Sequence, residues 1–219
     1  MGLRGARGFA LADPVEIVQK IEQRAHEAEA SKERGNKMQL TRKALNARWA
    51  WTSAAAFAAL AVLVLLDTYL RAKTGYGAAD LQGVPEAWGI RLIANHWADP
   101  ADAALAGFGL GFDYLFMPLY GAALYFGAIE ARERFASKPG ARRRIMALLA
   151  MAPVAGALFD ACENALQMVM LTQGPSQTLA SLAAEATTAK FVGVAVGLAL
   201  SLAAVAGLFV KKKEEGTEK

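Results

Sequence analysis

Apolar residues in this chain gather into four long blocks separated by polar stretches. A helix needs about 20 predominantly apolar residues to cross the hydrocarbon core of a bilayer. Residues 47–70, 107–129, 145–171 and 186–210 each reach that length. The pattern predicts an all-α protein, a four-helix transmembrane bundle. The last two blocks exceed the minimum, so tilted or protruding helices are expected there.

Between the blocks the pattern changes. Residues 1–46 are predicted to be a cytoplasmic, helical N-terminal segment. Asp13-Pro14-Val15-Glu16 has the order of a helix start, with Asp13 as N-cap and Pro14 in the first turn. The apolar face Val15, Ile17, Val18, Ile21 and Ala28 is narrow. It predicts an amphipathic helix lying near the inner membrane surface, with a partner-docking helix as the alternative. Gly35 is expected to break this helix before a second one enters the first span. The connection 71–106 is too long for a hairpin and is punctuated by Gly75, Gly77, Gly83 and Pro85. The following EAWGIRLIANHW places Trp88, Leu92 and Ile93 on one side at helical spacing, with Trp97 near its end. That predicts a short interfacial helix over the mouth of the bundle. Residues 211–219 read as a charged cytoplasmic tail.

Charge sets the expected orientation, because Lys and Arg concentrate on the cytoplasmic side of membrane proteins. Residues 1–48 carry ten, the loop between spans 2 and 3 six and the C-terminal tail four, against three in the connection 71–106 and none between spans 3 and 4. Both termini are therefore expected in the cytoplasm, with Trp49 and Trp51 at the inner interface and Tyr69 at the outer. The net charge of +4 is a topology signal, and no nucleic-acid partner is implied. The bilayer is the expected partner, with anionic headgroups favoured at the basic loops.

Composition narrows the chemistry. The chain is 55% hydrophobic and has one cysteine, Cys162, and two histidines, His26 and His96, neither inside an apolar block. A haem held by intramembrane histidines, a Cys-rich framework and a His-rich metal site are not indicated. No secretory signal is read at the start, which lacks an apolar core, and no metal or other cofactor is named by any motif.

The polar residues inside the spans are the informative ones. An ionised side chain at mid-bilayer costs roughly 2.5–3.5 kcal/mol on insertion scales. The spans nevertheless hold Asp67, Asp113, Asp160, Glu163 and Lys190. Counted from the span ends at about 1.5 Å per residue, all five fall in the outer half of the membrane. Rotational phase agrees. Gly156, Asp160, Glu163, Asn164 and Gln167 form one stripe on span 3, Gly109, Asp113, Phe116, Tyr120 and Gly127 one on span 2, and Thr187, Lys190, Val194, Gly197 and Ser201 one on span 4. The expectation is an outward-opening polar pocket lined by Asp113, Tyr120, Asp160, Glu163, Asn164, Gln167 and Lys190. One lysine can neutralise one carboxylate, so at least one proton is expected to remain in the layer. Asp67, close to an interface, reads as structural. Cys162 falls on the side opposite Asp160. Ala189, Gly193, Gly197 and Ser201 repeat every four residues, a ridge that lets another helix approach closely and a possible dimer surface. Pro118 and Pro153 are expected to free carbonyls and kink spans 2 and 3.

FDYLFMPLY (112–120) and DACENALQ (160–167), with Ile93 and Trp97 in the outer segment, resemble the pattern of a family of bacterial four-span membrane proteins of no established function. In that family span 2 carries Asp, an aromatic and a nearby Tyr, and span 3 carries D-x-x-E-N. The resemblance covers about residues 50–210. It implies that Asp113, Asp160, Glu163 and Asn164 act together, and a bacterial cytoplasmic membrane as the location. It implies no activity.

Three functions fit these residues. One is binding or movement of a small ligand, ion or proton in the pocket; four spans are few for a transporter, so a homo-oligomer is then expected. The second is an accessory subunit of a membrane complex, with the polar groups merely fastening helices. The third is a small intramembrane enzyme acting on a lipid or quinone, with Asp160 and Glu163 as an acid/base pair.

Overall fold

A computed structural model describes residues 14–136 and 138–217. Its elements are α1 (Pro14–Thr74), a 3₁₀ turn (Ala78–Leu81), α2 (Ala87–His96), α3 (Pro100–Phe135), α4 (Ala141–Leu149), α5 (Ala152–Gln173) and α6 (Gln177–Thr217). Among the described residues there is no strand. Four helical stretches, Gln39–Thr74, Pro100–Phe135, Ala141–Gln173 and Gln177–Gly207, are long and apolar enough to cross a membrane. The chain is an all-α membrane protein built as a four-helix bundle.

The chain divides into two units, Met1–Ala44 and Leu45–Lys219. In the first, the helix continues through Gly35, contrary to the expected break. A helical glycine costs about 1 kcal/mol relative to alanine. The strong helix formers around it, Lys32-Glu33-Arg34 and Lys37-Met38-Gln39-Leu40, outweigh that. Asp13, expected as N-cap, and the side chains of the apolar face Val15, Ile17, Val18, Ile21 and Ala28 lie outside the described residues.

The second unit carries the spans, and its helices run past the apolar blocks. α6 stays helical to Thr217, through most of the segment expected as a tail. Hydropathy marks where lipid begins, whereas a helix ends where its backbone finds a cap. α1 ends where Gly75 takes φ +88, a conformation that favours glycine. The Gly75 amide donates to Arg71 O at 2.8 Å. Asp67 then fixes the turn that follows. Its carboxylate accepts the Ala79 amide at 2.8 Å, and Arg71 bridges to Asp80 at 2.9 Å.

In α2 the inward face is Gly89, Ile90 and Ile93, with Trp97 just beyond it. Trp88 and Leu92, expected on that face, are exposed. The stripe Ile90, Ile93, Trp97 has the same helical spacing one step round the helix, and it packs on Leu70, Leu81 and Leu110. The indole of Trp97 donates to Tyr76 O at 3.0 Å, a bond that Trp88 on the outer face does not make.

α3 begins at Asp99, whose side chain accepts the Ala101 amide at 2.8 Å, followed by Pro100 in the first turn. Removing such a cap typically costs about 1 kcal/mol. Asp99→Ala is therefore expected to lower the thermal unfolding midpoint in detergent, with Asp99→Asn close to wild type. An unchanged midpoint for the alanine variant would show that this bond contributes nothing.

The two span prolines behave differently. Pro118 lies inside an unbroken α3. Pro153 sits in the first turn of α5, and the helix is interrupted at Ala150 and Met151. The third span is thus two helices, α4 and α5. A proline ring clashes with the carbonyl four residues back and has no N–H to give it, here the carbonyl of Leu149, the last residue of α4.

α5 and α6 cross where glycine meets glycine. A Cβ on Gly193 would lie 2.9 Å from Gly156 Cα and 2.5 Å from Ala152 O. Gly197 is closed over in the same way by Leu124 and Pro153. The small-residue ridge is therefore occupied within the bundle, by α5 and α3, and is not the dimer surface that its pattern suggested. α3, α5 and α6 pack closely. Among the described residues of α1, only the narrow stripe Ala56, Ala59 and Leu70 is buried.

Candidate functional site

The stripe on α5 points inward. Asp160, Glu163, Asn164 and Gln167 are 4%, 0%, 1% and 1% exposed, so none of them meets lipid. Each must find its partners inside the bundle, because a buried polar group without one costs several kcal/mol in hydrocarbon.

Lys190 of α6, itself 4% exposed, is the centre of the layer. Its Nζ stands 3.0 Å from Asp160 Oδ1 and 2.7 Å from Glu163 Oε2. One cation thus bridges two carboxylates one turn apart on α5. The other Asp160 oxygen accepts the hydroxyl of Tyr120 at 2.9 Å. Glu163 Oε1 accepts Gln167 Nε2 at 2.9 Å. Asn164 Nδ2 donates to Asp113 Oδ2 at 2.9 Å and to Leu110 O at 3.3 Å, tying α5 to α3. Asn164 Oδ1 and Gln167 Oε1 find no hydrogen-bond partner among the described residues.

All seven residues expected in the layer are brought together, but they do not share one surface. A cavity of about 650 Å³ lies between α1, α3 and α6. Asp113, Tyr120, Asp160 and Lys190 line it. Glu163, Asn164 and Gln167 do not, which corrects the single seven-residue pocket expected from the sequence. They lie behind Lys190 and Asp160, on the seams of α5 with α6 and α3. Residues one turn apart share a helical face, yet which of them reaches a cavity depends on where the neighbouring helices close over them. The volume falls within the 300–1,000 Å³ usual for small-molecule sites.

The cavity is elongated. One end reaches Asp67, Ala78 and Gln82, the other Trp49, Ser53 and Ser201, and between them the walls are mainly apolar apart from the polar layer. Asp67 serves the turn at 78–81 while also edging the cavity. At the layer two carboxylates, Asp113 and Asp160, line the cavity with one lysine, while Asp67 at its end lies 3.4 Å from Arg71. No group of three or more His, Cys, Asp or Glu side chains among the described residues is placed to hold a metal.

Some residues lie elsewhere. Cys162 is exposed, away from the layer. His96 Nδ1 is 2.9 Å from Leu92 O, and its ring meets Tyr76 edge-on at 4.6 Å. Sequence reasoning missed two buried acids. Glu130, fully buried, pairs with Arg134 at 2.7 Å, and Asp102, 6% exposed, pairs with Lys73 at 2.6 Å. The i, i+4 spacing of Glu130 and Arg134 was the available signal for the first. Nothing local signals the second, whose partners are 29 residues apart.

Comparison with models of protein families, with curated proteins and with solved structures returns no match.

Proposed function

We propose that this membrane protein binds a small ligand at the intramembrane layer, through Asp113, Tyr120, Asp160 and Lys190. The observation that carries the reading is that these four line a cavity. Groups serving only to fasten helices would be closed over, as Glu163, Asn164 and Gln167 are. The layer has two parts: a buried clasp that holds α5 to its neighbours, and an open set presented to a ligand. The surplus of carboxylates over Lys190 suits a ligand, ion or headgroup that donates hydrogen bonds or carries positive charge. The Lys and Arg distribution supports a cytoplasmic-membrane location with both termini inside and the layer nearer the outer face.

These contacts also support the accessory-subunit reading, since six of the seven polar residues bond between helices, and Gln167 donates to Glu163 on its own helix. The acid/base pair has less support, because Glu163 does not reach the cavity beside Asp160.

Native mass spectrometry after mild purification tests the proposal. Wild-type protein is expected to carry a bound small molecule. Asp113→Asn/Asp160→Asn is expected to lose most of it while keeping its helical content and monodispersity. Retention of the adduct by the double variant would refute the assignment, and a tight protein partner without any adduct would favour the accessory subunit.

A further inference from the structure

The mouth of the cavity identifies the kind of molecule that reaches it. A residue that lines a cavity and is also exposed marks an opening. On α1 the apolar ones are Phe57 (72%), Leu60 (39%) and Val64 (53%), and on α6 they are Phe191 (53%) and Leu198 (48%); Thr68 and Ala79, at the Asp67 end, are exposed as well, so the cleft is open there too. On the other flank Ala56 of α1 clusters with Met117, Tyr120 and Ala123 of α3. The cavity is thus a cleft that opens sideways, between α1 and α6, through apolar side chains. Its lining on α1 runs from Trp49 to Leu70, about 32 Å at 1.5 Å per residue. That is close to the roughly 30 Å thickness of the hydrocarbon core. The side opening therefore faces acyl chains.

We infer that the ligand is a membrane-resident amphiphile that enters laterally between α1 and α6. Its tail lies along the apolar cleft, and its non-anionic, hydrogen-bond-donating head reaches Asp113, Asp160 and Tyr120. The inference rests on the ligand-binding reading above and adds the route and the class. The head must not be anionic, because an added negative charge beside Asp113 and Asp160 would be uncompensated in low dielectric once Lys190 is engaged by Asp160 and Glu163. Amine and hydroxyl heads share the required chemistry.

Photolabelling in phosphatidylcholine nanodiscs tests this with three probes carrying a diazirine in the tail: a long-chain amine, a diacylglycerol and a phosphatidic acid. A water-soluble diazirine amine serves as the fourth. Labelled peptides are quantified at the cleft (Phe57, Leu60, Leu198) against the lipid-facing residues Leu148 and Leu158, which are 73% and 66% exposed and outside the cleft. Amine and diacylglycerol are expected to label the cleft about tenfold more than phosphatidic acid does, a difference of ~1.4 kcal/mol in binding. Stronger labelling by the amine would identify an ion pair, and equal labelling a hydrogen-bonded head. In Asp113→Asn/Asp160→Asn the preference among heads is expected to vanish while tails still label the cleft. If tailed probes label the cleft no more than Leu148 and Leu158, lateral entry is wrong. Labelling of the layer by the soluble amine alone would then leave the ligand-binding reading standing. If tails enter the cleft with no preference among heads in the wild type, the assignment of the polar layer to the head is wrong while the lateral route survives.

Discussion

Replacing Lys190 with methionine is expected to destabilise the bundle by about 3–5 kcal/mol, the usual cost of breaking a buried ion pair by removing one partner. Lys190 is the cation between Asp160 and Glu163, at 3.0 and 2.7 Å. Without it the two carboxylates face one another inside the bundle. Tyr120 and Gln167 still donate one hydrogen bond each, which does not replace a full charge. The loss arises from the charges left behind more than from the attraction removed, so it should be reversible by removing them. Lys190→Met/Asp160→Asn/Glu163→Gln is expected to recover much of the wild-type midpoint, since the cost of the single variant lies in uncompensated buried charge, which the two amides do not carry. Heating in detergent followed by size-exclusion chromatography of the surviving folded fraction reads both variants. A wild-type midpoint for Lys190→Met, or a triple variant no better than the single one, would show that Lys190 is not neutralising these two carboxylates.

The bundle was legible in the chain because the two signals used, apolar length and helical phase, belong to single helices. The stripe from Gly156 to Gln167 points inward because a helix with one polar side has one place to hide it. Tyr120, Asp113 and Lys190 meet it because antiparallel spans of similar length bring similar depths together. What the chain hid depends on pairs of helices. Nothing in span 1 shows that α1 packs by a stripe as narrow as Ala56, Ala59 and Leu70, yet that loose packing creates the cleft. The stripe on α5 likewise does not show that α3 and α6 close over Glu163, Asn164 and Gln167 and leave Asp160 open. The ridge Gly193, Gly197 signalled close approach correctly, but a ridge does not say whether its partner is in the same chain. Pro153 signalled a kink. The two-helix solution with a break at Ala150 and Met151 follows from a local competition between the ring and the Leu149 carbonyl.

Gly193→Ala is expected to lower stability by about 1–3 kcal/mol, the range for forcing extra atoms into a filled interior, and Gly193→Leu to prevent recovery of folded protein. The added Cβ would lie 2.5 Å from Ala152 O, 2.9 Å from Gly156 Cα and 3.0 Å from Gly156 N. All three are backbone atoms of α5, so no side chain can turn aside and the two helices must separate. Gly111→Ala is the matched control. It too is a helical glycine, but a Cβ there meets nothing within 4 Å. It is expected to be neutral or slightly stabilising, because alanine exceeds glycine in helix propensity by about 1 kcal/mol. The consequence reaches the polar layer. Lys190 lies three residues before Gly193, and Asp160 four after Gly156. The distance at which these glycines hold the two backbones therefore sets the Lys190–Asp160 distance. Without association driven by water in the bilayer, close packing is what holds helices together, and here it also positions the charges. Gly193→Ala should accordingly lose both thermal midpoint and retained ligand, whereas Gly111→Ala should lose neither. A Gly193→Ala variant that melts with the wild type would mean that the α5–α6 crossing is looser than the contact at Gly156 requires.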